Sequence, residues 1–401
     1  MKILILSWKD PQDVSAGGAE RYLVEVASRW VASGHEVTIL GPRRREVQPQ
    51  GAGTGDNGIR YVGVGSRLTV FRAADRYLRR RGDQFDRVLE SVSTRPFAAH
   101  QIVGNLAVAL YHQTAEDVWR MEFPFPMSWL GQHFLEPRWI RLMRQARVVA
   151  VSPSTAGALG RFGVAAEAII PPGCEPVLVT GPRAAPSATP RLIWVGRLVR
   201  TKRPDEAIAA FARVRGVIPR ATLDLVGGGY LEAAIRAQHH PGVTVCGFVP
   251  EAVKTSLLSQ ADLLLLPGTR EGWGIVAMEA ASYGVPVVAY DIPGLRDAVV
   301  DGVTGMVVPP NPDALGSAAV SLLQDADRWR QLSGAAQQRA QEFTWERAAT
   351  QLLMVLSPPT GLAVPAASYE TQPLSDVCSA VLATRSGFRH TLAILSDSGV
   401  L

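Results

Sequence analysis

Two acids eight positions apart bracket a short glycine-containing stretch, "REGWGIVAMEA", Arg270 to Ala280. Glu271 falls in the loop that follows the apolar run "ADLLLLPGT", and Glu279 falls inside the helical pattern that comes next. Gly272 and Gly274 make the loop around Trp273 permissive. A helix starting near Gly274 would aim the amides of Gly274, Ile275 and Val276 at whatever lies above the sheet, and a diphosphate suits such a cradle. Glu279 lies roughly 7 Å along that helix. An acid there can accept two hydroxyls at once, as a ribose diol requires. Glu271, on the far side of the loop, would face the group attached to the phosphate. The plainer account is one helical acid and one solvated loop acid.

Other loops offer related chemistry. "VGRLVRTKRPD" carries Arg197 and Lys202 between a strand and a helix. Two cations at a strand end suit a pyrophosphate, although a solvated basic turn has the same composition. "LVGGGYLEAAI" places a triple glycine, centred on Gly228, between strand and helix, so a ligand could approach the backbone. It is not G-x-G-x-x-G, and no spaced ribose acid follows it, so a nicotinamide cofactor is poorly supported. "GGAERYLVEVASRW" sets Gly17 and Gly18 ahead of a strong helical pattern. That turn either presents amides to an anion or is a plain loop with Glu20 in a favourable first turn.

The elements that must hold these loops are short apolar runs alternating with amphipathic stretches, the pattern of βαβ units and parallel sheets. In the first half, strands are expected at "KILILS", "EVTILG", "DRVLES", "VALYH" and "VVAVS". A Pro/Ala/Gly-rich stretch from Cys174 to Pro190 reads as a linker. A second series follows: "RLIWVGR", "TLDLVGGG", "VTVCGFV", "ADLLLLPG" and "VPVVAYD". The fold class is therefore α/β, with two doubly wound units. Ligands of such sheets bind outside the carboxyl ends of the strands. The Pro/Ser/Thr-rich tail, 357–401, reads as a connector with a short amphipathic element, and no function attaches to it.

At 401 residues the chain has room for two domains, and 47% hydrophobic residues supply their cores. The net charge is +5, but only four of the 41 basic residues are lysine, at positions 2, 9, 202 and 254. That bias reflects the codon supply of a GC-rich genome, with an actinobacterial setting as the expectation, and it does not imply a nucleic-acid partner. Three scattered cysteines without C-x-x-C suggest neither zinc nor disulfides and fit a reducing cytosol. "MKILILSW" reads as a first strand rather than a signal peptide, and no apolar run approaches membrane-spanning length.

With these residues set out, the resemblance is plain. E-G-W-G-I-V-A-M-E resembles the E-x7-E motif of retaining GT-B glycosyltransferases of family 4 (glycosyl transferases group 1). Gly17-Gly18-Ala19-Glu20, the Gly196-Arg197…Lys202 loop, "GGGYLEAAI", "GFVP" and "DGVTGMVVPP" stand in that family's order. The resemblance covers roughly residues 1–356 and implies two Rossmann-like domains facing across a deep cleft. The implied divisions are an acceptor-side domain 1–173, a linker 174–190, a donor-binding domain 191–341, a helix 342–356 returning to the first domain, and the tail 357–401. It implies that Arg197, Lys202 and Gly196 meet the leaving diphosphate, that Gly272 and Gly274 to Val276 cap it, and that Glu279 holds the ribose. Phe248 falls where the family's base-contacting loop runs. His112, in "ALYHQT", falls where the family sets a histidine against the donor sugar.

The expected activity is retaining, metal-independent hexosyl transfer from a UDP- or GDP-sugar to a hydroxyl of a small-molecule, glycan or lipid-linked acceptor. The departing phosphate would assist deprotonation on the same face. No cofactor or metal is expected, and Asp325-Ala326-Asp327 reads as a helix cap. Natural-product tailoring and envelope glycan assembly are the two expected pathways, in the cytoplasm or at the inner membrane face. A non-hydrolysing sugar-nucleotide epimerase and a catalytically silent nucleotide-binding subunit are the rival readings. "AEDVWRMEFPFPMSWLGQHFLEPRW" either lines an acceptor pocket, touches a membrane or packs as an amphipathic helix. "RRRE" from Arg43 and "RYLRRRGD" from Arg76 read as solvated faces or as contacts to an anionic lipid surface.

Overall fold

The computed structural model describes residues 1–13, 16–43, 53–55, 57–175, 177 and 185–357. The tail beyond 357, Arg44 to Glu46, and most of the linker core lie outside the described residues. Fourteen strands are described: β1 (Lys2–Leu6), β2 (Glu36–Gly41), β3 (Gly53–Thr54), β4 (Arg60–Gly63), β5 (Arg87–Val92), β6 (Ala107–Tyr111), β7 (Arg147–Ala150), β8 (Ala168–Ile169), β9 (Arg191–Val195), β10 (Thr222–Val226), β11 (Val243–Gly247), β12 (Leu263–Leu266), β13 (Val287–Tyr290) and β14 (Gly305–Val308). They form two sheets, ordered β3-β4-β2-β1-β5-β6-β7-β8 and β11-β10-β9-β12-β13-β14. Every pairing is parallel except β3 with β4. The fold is α/β with two Rossmann-like domains. Each apolar run named above becomes a strand. The sheet also contains β4 and β14, which are half-buried, and the two-residue β3 and β8; these are too short or too polar to signal a strand by pattern.

In the second sheet the strand order reverses direction between β9 and β12, the point at which a crevice opens above such a sheet. The loops after these two strands are the ones that carry Arg197, Lys202 and Glu271. The second domain's core joins Leu192, Trp194 and Phe211 to Leu263–Leu266, with Trp329 sealing one end through an indole bond to the Asp262 carbonyl at 2.9 Å.

The helix Trp345–Leu356 buries Trp345, Ala349 and Leu352 with Tyr22, Trp30 and Ile39 of the first domain. Thr344 caps it, accepting from the Arg347 amide at 3.2 Å. The chain leaves the first domain beside this return: the Cys174 amide donates to the Phe343 carbonyl at 2.8 Å. The two crossings between domains therefore lie side by side.

Candidate active site

The helix Ile275–Ser282 begins one residue later than Gly274, which serves as its N-cap in a left-handed conformation. Among the described residues the amides of Ile275 and Val276 find no acceptor, as expected of a first helical turn. Gly272 brings the loop to the first domain. A Cβ at this position would run into the His112 carbonyl oxygen, so no other residue fits without displacing one loop. Across the same contact, a Cβ on Gly18 would lie 3.0 Å from Ile275. The loop that carries Glu271 thus packs against the backbone of His112, although the two residues are 159 positions apart in the sequence.

Lys202 forms an ion pair with Glu271. Its loop is fastened to the next by the Thr269 amide, which donates to Thr201 at 2.9 Å, and by Arg203 Nε, which donates to Thr269 Oγ1 at 2.9 Å. Arg197 is exposed and its charge is felt by Lys9 of the first domain. The members of the triple glycine serve different purposes. A Cβ on Gly227 would strike the Gly196 carbonyl, so this glycine admits the neighbouring loop rather than a ligand. Gly228 instead accepts from the Leu198 amide at 2.9 Å and lies beside Phe248. Phe248 is 72% exposed, an aromatic face available for stacking.

Glu279 is buried, and both of its oxygens hold cations. Lys254 Nζ donates to Oε1 at 2.9 Å and to Oε2 at 3.1 Å, and Arg21 reaches Oε1 from the first domain. The carboxylate expected to accept a diol is therefore already bonded to charge, and a diol must share or displace those partners. Glu20 stands in the first helical turn, as the plainer of its two readings has it. Its carboxylate turns back to accept from the Gly17 amide at 2.7 Å, so that amide is not open to an anion. Glu20 fixes the turn through the N3-to-N-cap bond of a capped helix.

His112 ends β6 and is buried. Its Nε2 lies 3.0 Å from Ser91 Oγ, and Tyr22 meets its ring edge-on. Burial pushes its pKa down to about 3, so the imidazole is neutral at physiological pH. Burial pushes the Glu90 carboxyl on the neighbouring strand the other way, to about 7, against amide bonds from Ala98 and Ala99.

Arg270 was quoted without a role, yet it is the strongest tie between the loops. Its Nη1 donates to Glu116 at 3.0 Å, and its Nη2 donates to Thr114 and Glu116. Nothing in the sequence near Arg270 announces partners more than 150 positions away. Glu136 is likewise buried, bonding the Glu116 amide at 2.9 Å and the Trp119 indole at 3.0 Å. Neither a single packed helix nor a plain loop describes the segment that follows. Pro124 and Pro126 separate the short helix Val118–Glu122 from a longer helical run, 127–142, that contains a π turn at Gly131–Leu135, and Phe123, Phe125, Met127, Trp129 and Phe134 stand 46–80% exposed.

No group of three or more potential metal ligands occurs among the described residues. Asp325 caps the helix Ala326–Ala340 by accepting from Arg328 at 2.9 Å, as read from the sequence. No described helix is long and apolar enough to cross a membrane.

Two Rossmann-like domains with a charged crevice between them define a GT-B glycosyltransferase. The chain is a member of the glycosyl transferases group 1: that family's model matches residues 189–325, and "Glycosyltransferase Family 4" matches residues 16–178. It is 27% identical to the glycogen synthase of Mycobacterium tuberculosis over 88% of this chain and 94% of that protein. It is 32% identical to the D-inositol 3-phosphate glycosyltransferase of Segniliparus rotundus, over 52% of this chain and 51% of that one. Among solved structures it is similar to sucrose-phosphate synthase from Thermosynechococcus elongatus, with TM-score 0.71, 22% identity, and coverage of 88% and 98%. It is also similar to Anabaena HepE in complex with UDP-glucose, with TM-score 0.69, 21% identity, and coverage of 89% and 99%. These last likenesses speak to fold alone.

Proposed function

We propose that the protein transfers a hexose from a UDP- or GDP-sugar to an acceptor hydroxyl with retention of configuration and without a metal. The observation that carries this reading is the meeting of three loops: Gly272, between the Lys202-paired Glu271 and the helix that starts at Ile275, packs against the backbone of His112, which is neutral. A diphosphate set against Arg197, Lys202 and the amides of Ile275 and Val276 would have its departing charge met by cations and dipoles already in place. Phe248 offers a face for the base, and Glu279 an acceptor for the ribose once Arg21 yields. His112, uncharged, would offer a hydrogen bond to the sugar without drawing negative charge from the phosphate. The HepE neighbour was solved with UDP-glucose, which supports beginning with uridine donors. Relatives in Mycobacterium and Segniliparus accord with an actinobacterial setting. We place the enzyme in the cytoplasm, with the exposed aromatics between Phe123 and Phe134 touching the inner membrane face.

The test is a panel of UDP- and GDP-sugars with the purified protein, reading the anomeric configuration of the product by NMR coupling, with and without EDTA. Retention, unaffected by EDTA, is the expected result. An inverted product refutes the same-face mechanism. Loss of activity on chelation, restored by Mn²⁺, refutes the metal-free account. Isomerised donor with no transfer supports an epimerase, and binding without turnover supports a silent subunit.

A further inference from the structure

A cavity of about 700 Å³ opens at the carboxyl ends of β2 and β4. Arg43, Thr69, Arg72, Arg76, Tyr77 and Arg80 line it. Within the helix Val70–Arg81, residues 72, 76 and 80 are four apart and share one face. Like charges at that spacing repel, so the arrangement costs stability unless something anionic joins it. Arg79 is paired with Asp75 at 3.0 Å, and Arg81 lies over the Tyr77 ring at 5.8 Å. Arg72, Arg76 and Arg80 make no ion pair or hydrogen bond among the described residues. Arg80 sits in the last turn, where the helix dipole favours a cation. Arg72 sits in the first turn, where the dipole opposes it and no acid compensates. Helix electrostatics thus account for Arg80 but not for Arg72.

The strand ends that frame the cavity also touch the loop that carries Lys9. The Arg43 amide donates to Gly65 at 3.1 Å, and a Cβ on Gly41, at the end of β2, would lie 3.7 Å from the Lys9 carbonyl oxygen. Arg67, just before the helix, bonds Asp13 at 3.1 Å. Burial holds the Lys9 ammonium below its ordinary range; Glu20 opposes this, and Arg197 and Arg67 add to it. Arg197 of the donor domain and Arg67, five residues before Arg72, are thus both close enough to act on Lys9.

We infer that this cavity is a subsite for a phosphoryl group on the acceptor, with Arg43, Arg72 and Arg76 holding a phosphate or diphosphate ester while the acceptor's hydroxyl extends toward Arg197. Guanidinium forks match phosphate oxygens in pairs, and Tyr77 and Val64 supply an apolar wall for the attached carbon chain. The inference rests on the sugar transfer proposed above. The phosphate can belong to a free phosphorylated molecule or to a lipid headgroup.

The test is calorimetric titration of inorganic pyrophosphate into the full chain, with and without saturating UDP, for the wild type and the double variant Arg72→Ser, Arg76→Ser. Both positions are exposed, so folding should be unaffected. With UDP filling the donor side, one saturable site should remain, weakened at least about tenfold in the variant while UDP affinity is unchanged. Sedimentation with phosphatidylglycerol and with phosphatidylcholine vesicles separates the sources. Arginine-dependent binding to the anionic vesicles assigns the site to a headgroup, and arginine-dependent pyrophosphate binding without it assigns the site to a free phosphorylated acceptor. Equal binding of both probes by wild type and variant, or binding of neither, overturns the inference. Failure of UDP and GDP to bind the wild type refutes the donor reading instead, and leaves the pyrophosphate comparison to be scored separately.

Discussion

The two faces of the cleft handle charge in opposite ways. On the second-domain side Glu271 holds Lys202, and Glu279 holds Lys254 and, from the first domain, Arg21. On the first-domain side Arg72 and Arg76 have no acid among the described residues, and His112 is neutral. Burial explains the difference. Glu279 is 8% exposed, and a buried lone charge is costly, so it must be paired. The outer arginines are hydrated and screened, and can wait unpaired. A ligand on the donor face must therefore exchange partners, whereas one on the acceptor face needs only to arrive.

The most severe test of that contrast is Lys202→Ala. It removes the cation facing the leaving group and also leaves Glu271 unpaired beside an incoming diphosphate. The expected loss in kcat is on the order of 10²-fold or more, exceeding the rise in donor KM. Steady-state kinetics with a cleaved donor checks this. An unchanged kcat with a raised KM would make the loop a docking site only.

A smaller effect separates the two glutamates. Glu279→Gln weakens charge-assisted bonds worth about 1.5–3 kcal/mol, so UDP or GDP affinity should fall by roughly one to two decades. Glu271→Gln should leave that affinity nearly intact and act on transfer from the intact donor. The structure sharpens this with a third variant. Arg21 competes for the carboxylate the ribose would use, so Arg21→Ala should strengthen nucleotide binding by a few-fold. If Arg21→Ala weakens binding as much as Glu279→Gln does, the Glu279 carboxylate is an interdomain tie and not a ribose ligand.

These sites were not equally legible. The loops after β9 and β12 could be read because local features define them: a strand end, a glycine, a charge and a helix start within a dozen residues. Arg270 with Glu116, and Arg21 with Glu279, could not be read, since each partner lies more than 150 positions away and only the closed fold brings them together. The triple glycine was legible only in part, for a related reason. A glycine admitting a ligand and one admitting a neighbouring backbone look alike in sequence, and Gly227 does the latter. β4 escaped notice because Arg60–Gly63 is half-exposed and lacks the continuous apolar run of a buried parallel strand.

The mildest test concerns the neutral state of the first-domain face, and it reads stability rather than activity. His112 has its pKa lowered to about 3 in the folded protein, against an ordinary value of 6.5. Between those pH values the unfolded chain binds a proton that the native protein does not. Stability from this group is therefore fully present above pH 6.5 and declines as pH falls toward 3, by up to about 1.4 kcal/mol per pH unit. Glu90 works in the opposite direction. Its raised pKa means the native state holds the extra proton between about 4.5 and 7, so its contribution declines as pH rises through that window. The two slopes partly cancel in the wild type, and the informative quantity is a difference. Urea unfolding of wild type and His112→Asn at pH 7.5, 6.0 and 5.0 isolates it. Removing the histidine should remove its acid-side loss, so the gap between the two proteins should close as pH falls. A gap that stays constant across the three values would mean that His112 takes up its proton at the same pH in the folded and unfolded chain, a gap that widens would mean that the fold holds it charged, and either would overturn the neutrality imposed by burial.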